Sequence, residues 1–134
     1  MYESVVSHYL ELLKKLLAGP SHRFSDASSR DVPKAPGVYV IYDKRMNGVI
    51  YSGRTKNLKR RLLSDHRRGN VRGSQFRKAL GRNFGLSSED EITSYILKNC
   101  SFQFMGFEEF EEIVRLEHFV IAVLGPILNV RLKQ

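Results

Sequence analysis

Cysteine occurs once in these 134 residues, at Cys100, which excludes an intramolecular disulfide and a cysteine-based zinc site. The lone thiol reads as a small core residue at a helix-to-strand junction. No stretch of about 18 or more apolar residues appears, so neither a membrane-spanning helix nor a membrane partner is expected. The opening Met1-Tyr2-Glu3-Ser4 lacks the basic-then-apolar plan of a secretory signal. Internal repeats and low-complexity tracts are missing too. Together these absences point to a reducing, cytoplasmic setting.

What is present is charge, unevenly spread. The length suits one domain, and the net charge is +8. Between Arg54 and Arg82 lie eleven Lys/Arg and one acid, Asp65. Between Glu89 and Glu117 lie eight Asp/Glu and two basic residues. A basic block of this kind suits a polyanion, nucleic acid first. Its plainer reading is a solvated face that keeps the chain soluble. The polyanion reading assigns contacts to Arg54, Lys56, Lys59, Arg60, Arg67, Arg68, Arg72, Arg77 and Lys78.

Apolar spacing predicts a helix over Val5 to Ala18, stopped by Gly19-Pro20. Ser21 to Pro36 reads as a linker or an irregular packed segment. Val38 to Tyr42 is β-branched and aromatic, apolar on both faces, hence a central strand. Asn47-Gly48 marks a hairpin turn, and Val49 to Ser52 returns. Leu58, Leu62 and Leu63 form a helical stripe, broken at Gly69 to Gly73. Further helices are expected over Ser74 to Phe84, from a capping box Ser88-x-x-Glu91 to Asn99, and over Glu108 to Leu124. Ser101 to Met105 alternates and reads as a third strand.

Glu117 stands out. Ile113, Val114, Val120 and Ile121 flank it at −4, −3, +3 and +4, so it lies on or beside a core-facing stripe. An unpaired buried charge is costly, so this carboxylate needs a cation, a hydrogen-bond network or a pocket. Two readings stand side by side. One is an ion pair with an arginine. The other is a ligand for Mg²⁺ or Mn²⁺, since a hard cation can use one carboxylate plus waters and phosphate oxygens.

Arg61 borders the stripe of its helix. It either pairs with Asp65 at i, i+4 or clamps a phosphate. Arg54, just after Gly53, is a second candidate. Tyr39 and Tyr51 read as core aromatics with a hydrogen-bonded tip, or as proton-transfer groups if nearby cations lower their pKa. His66 reads as a surface histidine, or as a proton relay or phosphate contact.

Gly37-Val38-Tyr39, the hairpin, the run Tyr51-Ser52-Gly53-Arg54-Thr55-Lys56-Asn57-Leu58-Lys59-Arg60-Arg61-Leu62, then Glu117, Pro126 and Asn129 resemble the GIY-YIG nuclease domain over residues 36–130. The resemblance implies an α/β fold with a small three-stranded antiparallel sheet flanked by helices. Residues 1–35 would then be an added N-terminal helix and linker, and 36–134 the domain. It implies metal-dependent hydrolysis of a DNA phosphodiester, by a protein that can associate with the nucleoid. Glu117 matches the metal ligand and Arg61 the arginine on the scissile phosphate. Tyr39 and Tyr51 match the active-site tyrosines, and Asn129 the bracing asparagine. Arg54 stands where many members carry lysine, and it cannot readily give up a proton. Val38 and Ser52 replace isoleucine at positions that alternate outward relative to the tyrosines.

Two rival expectations follow. The chain is a non-catalytic nucleic-acid-binding module, or it is a subunit of a repair complex. In the second case Val5 to Leu17 docks a partner or a second copy. No separate DNA-reading module such as a zinc finger is visible, so base readout falls to the basic insert, the N-terminal segment or a partner.

Overall fold

The computed structural model describes residues 1–129; the last residues of the expected domain, 130–134, lie outside the described residues. Among the described residues, no helix is long and apolar enough to cross a membrane. Helix α1 (Tyr2–Ala18) buries Tyr9, Leu13 and Leu16, an i, i+4, i+7 set. Strands β2 (Gly37–Asp43) and β3 (Gly48–Thr55) form the expected hairpin, with Asn47 at φ 54° in its turn. Strand β4 (Cys100–Gly106) pairs antiparallel with the other edge of β2. Cys100 is buried where helix α3 (Glu89–Asn99) passes into β4, and α3 starts with the Ser88/Glu91 capping box.

The sheet has four strands rather than three. A two-residue strand, β1 (His22–Arg23), adds to β4, giving the order β1-β4-β2-β3. Two polar residues carry no alternation to read. Their pairing is set by neighbours: Phe24 N–H donates to the Cys100 carbonyl at 3.2 Å, and the His22 ring lies 5.5 Å from that of Phe102. The 21–36 segment is the packed kind, with Phe24, Ala27 and Val32 buried in the same cluster as Tyr39 and Ile41.

Strand β2 has both faces covered. Tyr39 and Ile41 face one cluster, with helix α2 (Gln75–Phe84), α3 and Leu58, Leu62 and Leu63. Val38 and Val40 face the other, with α1 and helix α4 (Phe110–Leu124). Val38 is therefore not outward but buried under α1 and α4. A bulge between Ile41 and Tyr42 lets two consecutive residues of β3, Ile50 and Tyr51, turn toward the first cluster.

The arginine-rich helix after β3 is not a plain α-helix. Thr55 Oγ1 accepts from Asn57 N–H, and Asn57 Oδ1 accepts from Arg60 N–H, which caps its start. Residues Arg60–His66 then form a π-helix. In an α-helix five residues carry a side chain about 140° around the axis. The i→i+5 bonding of the π-helix instead brings His66 back toward the side of the helix that carries Arg61.

Arg77, assigned above to a polyanion, is wholly buried and unavailable to one. Its Nη1 donates to the carbonyls of His66 and Arg67. Its Nη2 donates to Glu89 Oε1, the Glu89 carbonyl and Thr93 Oγ1. The charge pattern counted it as a surface cation because burial of an arginine depends on partners far along the chain. Arg67 is likewise engaged, by the carbonyls of Leu63, Phe24 and Ala27. Arg77→Leu should lower the unfolding free energy by about 3 kcal/mol, since it strips the donors from buried carbonyls. Lys78→Ala, on the exposed face, should stay within about 0.5 kcal/mol. Urea titrations of the two variants measure the contrast.

Candidate active site

The site gathers at the end of β3, which is the sheet edge. Tyr39 on central β2 is fully buried and points its hydroxyl across β3 at Gly53. A Cβ on Gly53 would lie 2.3 Å from Tyr39 Oη, so only glycine leaves room for that ring. Tyr51, half-buried, sits beside it with ring centroids 6.3 Å apart. Asn129 grips the strand between them. Its Oδ1 accepts from Ser52 N–H at 2.7 Å and its Nδ2 donates to the Ser52 carbonyl at 2.9 Å. The side-chain amide thus pairs with the β3 edge as a neighbouring strand would. Ser52 is itself buried and donates its hydroxyl to the Tyr39 carbonyl.

His66 is where the surface reading fails. It is 0 % exposed, between Tyr39 Oη at 2.6 Å from Nε2 and Ser74 Oγ at 2.7 Å from Nδ1. Ser74 is the N-cap of α2 and accepts from Arg77 N–H. Nδ1 is the other partner of the Ser74 hydroxyl, which can donate its proton to it. In that arrangement the single N–H of the neutral imidazole lies at Nε2 and donates to Tyr39 Oη. Tyr51 and Phe76 pack around the same imidazole. Burial first, then the charges of Arg61 and Arg77, pushes the His66 pKa down to about 3. Ser74 and Phe76 were not among the candidate site residues; the sequence showed Phe76 only as an inward residue of its helix and Ser74 only as a serine at that helix's start.

The cations do not lower the tyrosine pKa values overall. Burial pushes Tyr39 well above its ordinary value, with Tyr51 and Glu117 adding to the rise and Arg61 opposing it. Tyr51 is raised for the same leading reason. Both are neutral hydroxyls near pH 7.

Glu117 is 8 % exposed and accepts from Arg54 Nη1 through Oε1. The first of the two sequence readings is met here. The ion pair is formed, and Oε2 has no protein partner among the described residues. Arg61 makes the expected approach to Asp65, with Nε 3.3 Å from Oδ2. The alignment is too poor for a hydrogen bond, so Nε is a buried donor without an acceptor. Arg54, Arg61 and Asp65 line a cavity of about 570 Å³ with Lys56, Asn57, Arg60 and Phe110.

Among the described residues, no three His, Cys, Asp or Glu side chains gather as a metal cage. Asn129 Oδ1 is occupied by Ser52 N–H. The donor set therefore fits a hard cation held by one carboxylate, with waters and substrate oxygens completing its shell. It does not fit a nitrogen- or sulfur-rich centre.

A family model for the GIY-YIG catalytic domain matches residues 26–134, and the chain belongs to this family of nuclease catalytic domains. No curated protein matches the chain. Among solved structures, the chain is similar to the N-terminal GIY-YIG endonuclease domain of UvrC from Thermotoga maritima bound to magnesium, its catalytic divalent cation. Identity is 23%, coverage 76% of this chain and 96% of that one, and the TM-score 0.47. A point-mutant form of the same domain gives 22% identity, 76% and 96% coverage, and a TM-score of 0.46.

A histidine kept neutral by burial has a testable cost in acid. Below about pH 6.5 the unfolded chain protonates His66, whereas the folded chain holds it neutral until about pH 3. The folded pKa is depressed, so stability contributed by neutral His66 is lost as pH falls through that window. The slope from this group is at most about 1.4 kcal/mol per pH unit. His66→Gln should flatten the stability profile between about pH 6 and pH 4 by up to one proton's worth, measured by denaturant titration at each pH.

Proposed function

We propose that this protein is a divalent-metal-dependent endonuclease that hydrolyses a DNA phosphodiester. The observation that carries the reading is the buried Nε of Arg61, which has no hydrogen-bonded acceptor, borders a cavity lined by Arg54, Lys56 and Arg60, and belongs to a side chain whose charge, with that of Glu117, acts on the buried Tyr39. A guanidinium donor without an acceptor suits an anion, and a phosphodiester brings one. Glu117 would hold Mg²⁺ or Mn²⁺ through Oε2, with Arg54 steadying Oε1. When bound, the ion supplies Lewis-acid charge that polarises phosphoryl oxygens and acidifies nearby hydroxyls.

In this reading Arg61 donates to a non-bridging phosphate oxygen and offsets the charge that develops there. A tyrosine that has first lost its own proton to solvent, as a phenolate, takes the proton of a water lined up against phosphorus; the P–O bond to the leaving sugar oxygen breaks and that oxygen takes a proton from solvent. Tyr39 is the better candidate of the two. The donated Nε2–H of His66 stabilises a phenolate at Tyr39 Oη. Asn129 acts at one remove by fixing the backbone of β3. Exposed Lys56, Arg60, Arg68, Arg72 and Lys78, with half-buried Arg54 and Lys59, supply the phosphate contacts that make binding weaken with salt.

A second reading rests on the Glu117–Arg54 pair. A carboxylate already neutralised by arginine suits a module that binds nucleic acid without cutting it. Plasmid nicking separates the two. With Mg²⁺ or Mn²⁺, supercoiled DNA should be nicked, and chelation should stop nicking while leaving binding. Glu117→Gln and Arg61→Ala should each reduce the rate about a hundredfold or more. Tyr39→Phe should cost more than Tyr51→Phe. Undiminished cleavage in the first two variants would overturn the site assignment. Tight binding without cleavage under any divalent ion would favour the binding module.

A further inference from the structure

Phe110 has no part in the site so far, yet it lies on the same stripe as Glu117. The two are seven residues apart on α4, two turns of the helix, which places them on one face about 10 Å apart along the axis. The stripe is buried at Ile113 and Glu117 and emerges at Phe110, which is 40% exposed. There the ring borders the basic cavity that holds Arg54, Arg60 and Arg61. The ammonium of Lys56 sits 5.8 Å from the ring centroid.

We propose that Phe110 is a base-stacking platform, and that the substrate strand presents an unstacked base to it beside the phosphate being cleaved. This rests on the nuclease reading above and gives its substrate a class: DNA that is single-stranded, branched or otherwise unpaired at the cut. Three features support it. A flat apolar ring in a cavity whose other lining residues are four cations with Thr55, Asn57, Asp65 and Gly73 offers nothing to a phosphate but matches the face of any base. Its separation from Glu117 suits a nucleotide near the scissile one rather than the scissile one itself. Lys56 covers the ring through a cation–π contact that a base can replace, which frees the ammonium for the adjoining phosphate. A fully paired duplex keeps its bases stacked and offers the ring none.

The chain has no tryptophan, so Phe110→Trp places the sole indole at this position. In a Glu117→Gln background, which prevents cutting, its fluorescence should be quenched to saturation by a mixed-sequence single-stranded oligonucleotide. Heparin, a polyanion without bases, should bind and leave it unquenched. Phe110→Leu in the same background should weaken single-strand binding roughly tenfold and change binding of heparin and of fully paired duplex less than about twofold. Quenching by heparin alike, or equal losses on all three ligands, overturns the proposal. The two readings fail separately. Quenching by the single strand in a protein that never nicks DNA leaves the platform standing without the nuclease. Nicking by a protein whose Phe110→Trp indole ignores the single strand leaves the nuclease without the platform.

Discussion

The hydrogen-bonded line from Tyr39 through His66 to Ser74 is the constraint on which the candidate site depends. It ties the central strand, the π-helix and the cap of α2 at one buried imidazole. Each link needs the others. Without the wide π turn, His66 would lie farther around the helix from Arg61. Without Gly53, Tyr39 Oη would have no space. Without the Ser74 hydroxyl, the Nε2 proton would have no reason to face the tyrosine. Arg77 secures the arrangement from behind through the carbonyls of His66 and Arg67.

A second constraint acts from the opposite face of the sheet. Residue 54 alternates away from Tyr39 and toward α4, so Arg54 meets Glu117 around the strand edge. The site is therefore built across an edge, from two layers that belong to different core clusters. An edge strand leaves backbone groups open, and Asn129 closes two of them at Ser52. This explains how a residue can belong to the constellation without reaching the cleft. It also keeps β3 from slipping register, which would turn Tyr51 to the wrong face.

Electrostatically the cleft is unbalanced by design of the fold rather than by net charge. Burial dominates behind it, where the tyrosines and histidine are neutral. At its mouth Lys56 and Arg60 are exposed and carry full charge. A polyanion would meet the exposed cations first and the orphan donor of Arg61 last. The two arginines that the charge pattern misplaced, Arg67 and Arg77, serve backbone carbonyls instead.

Most helices, the hairpin and the central strand were legible because periodicity, caps and turn residues act locally. Glu117 was legible too, because a carboxylate amid Ile113, Val114, Val120 and Ile121 conflicts with burial wherever the helix packs. The motif residues and the family could be read in one dimension, since spacing along the chain carries them. Partners across the chain could not. His66 looked like a surface residue until Tyr39, 27 positions earlier, and the Ser74 cap closed over it. The short strand β1, the π turn and the burial of Arg77 also depend on neighbours that only folding brings near. Sequence determined which groups were available and which segments would hold them. Tertiary structure decided which were desolvated and paired, because burial and hydrogen bonding are properties of surroundings and not of residues.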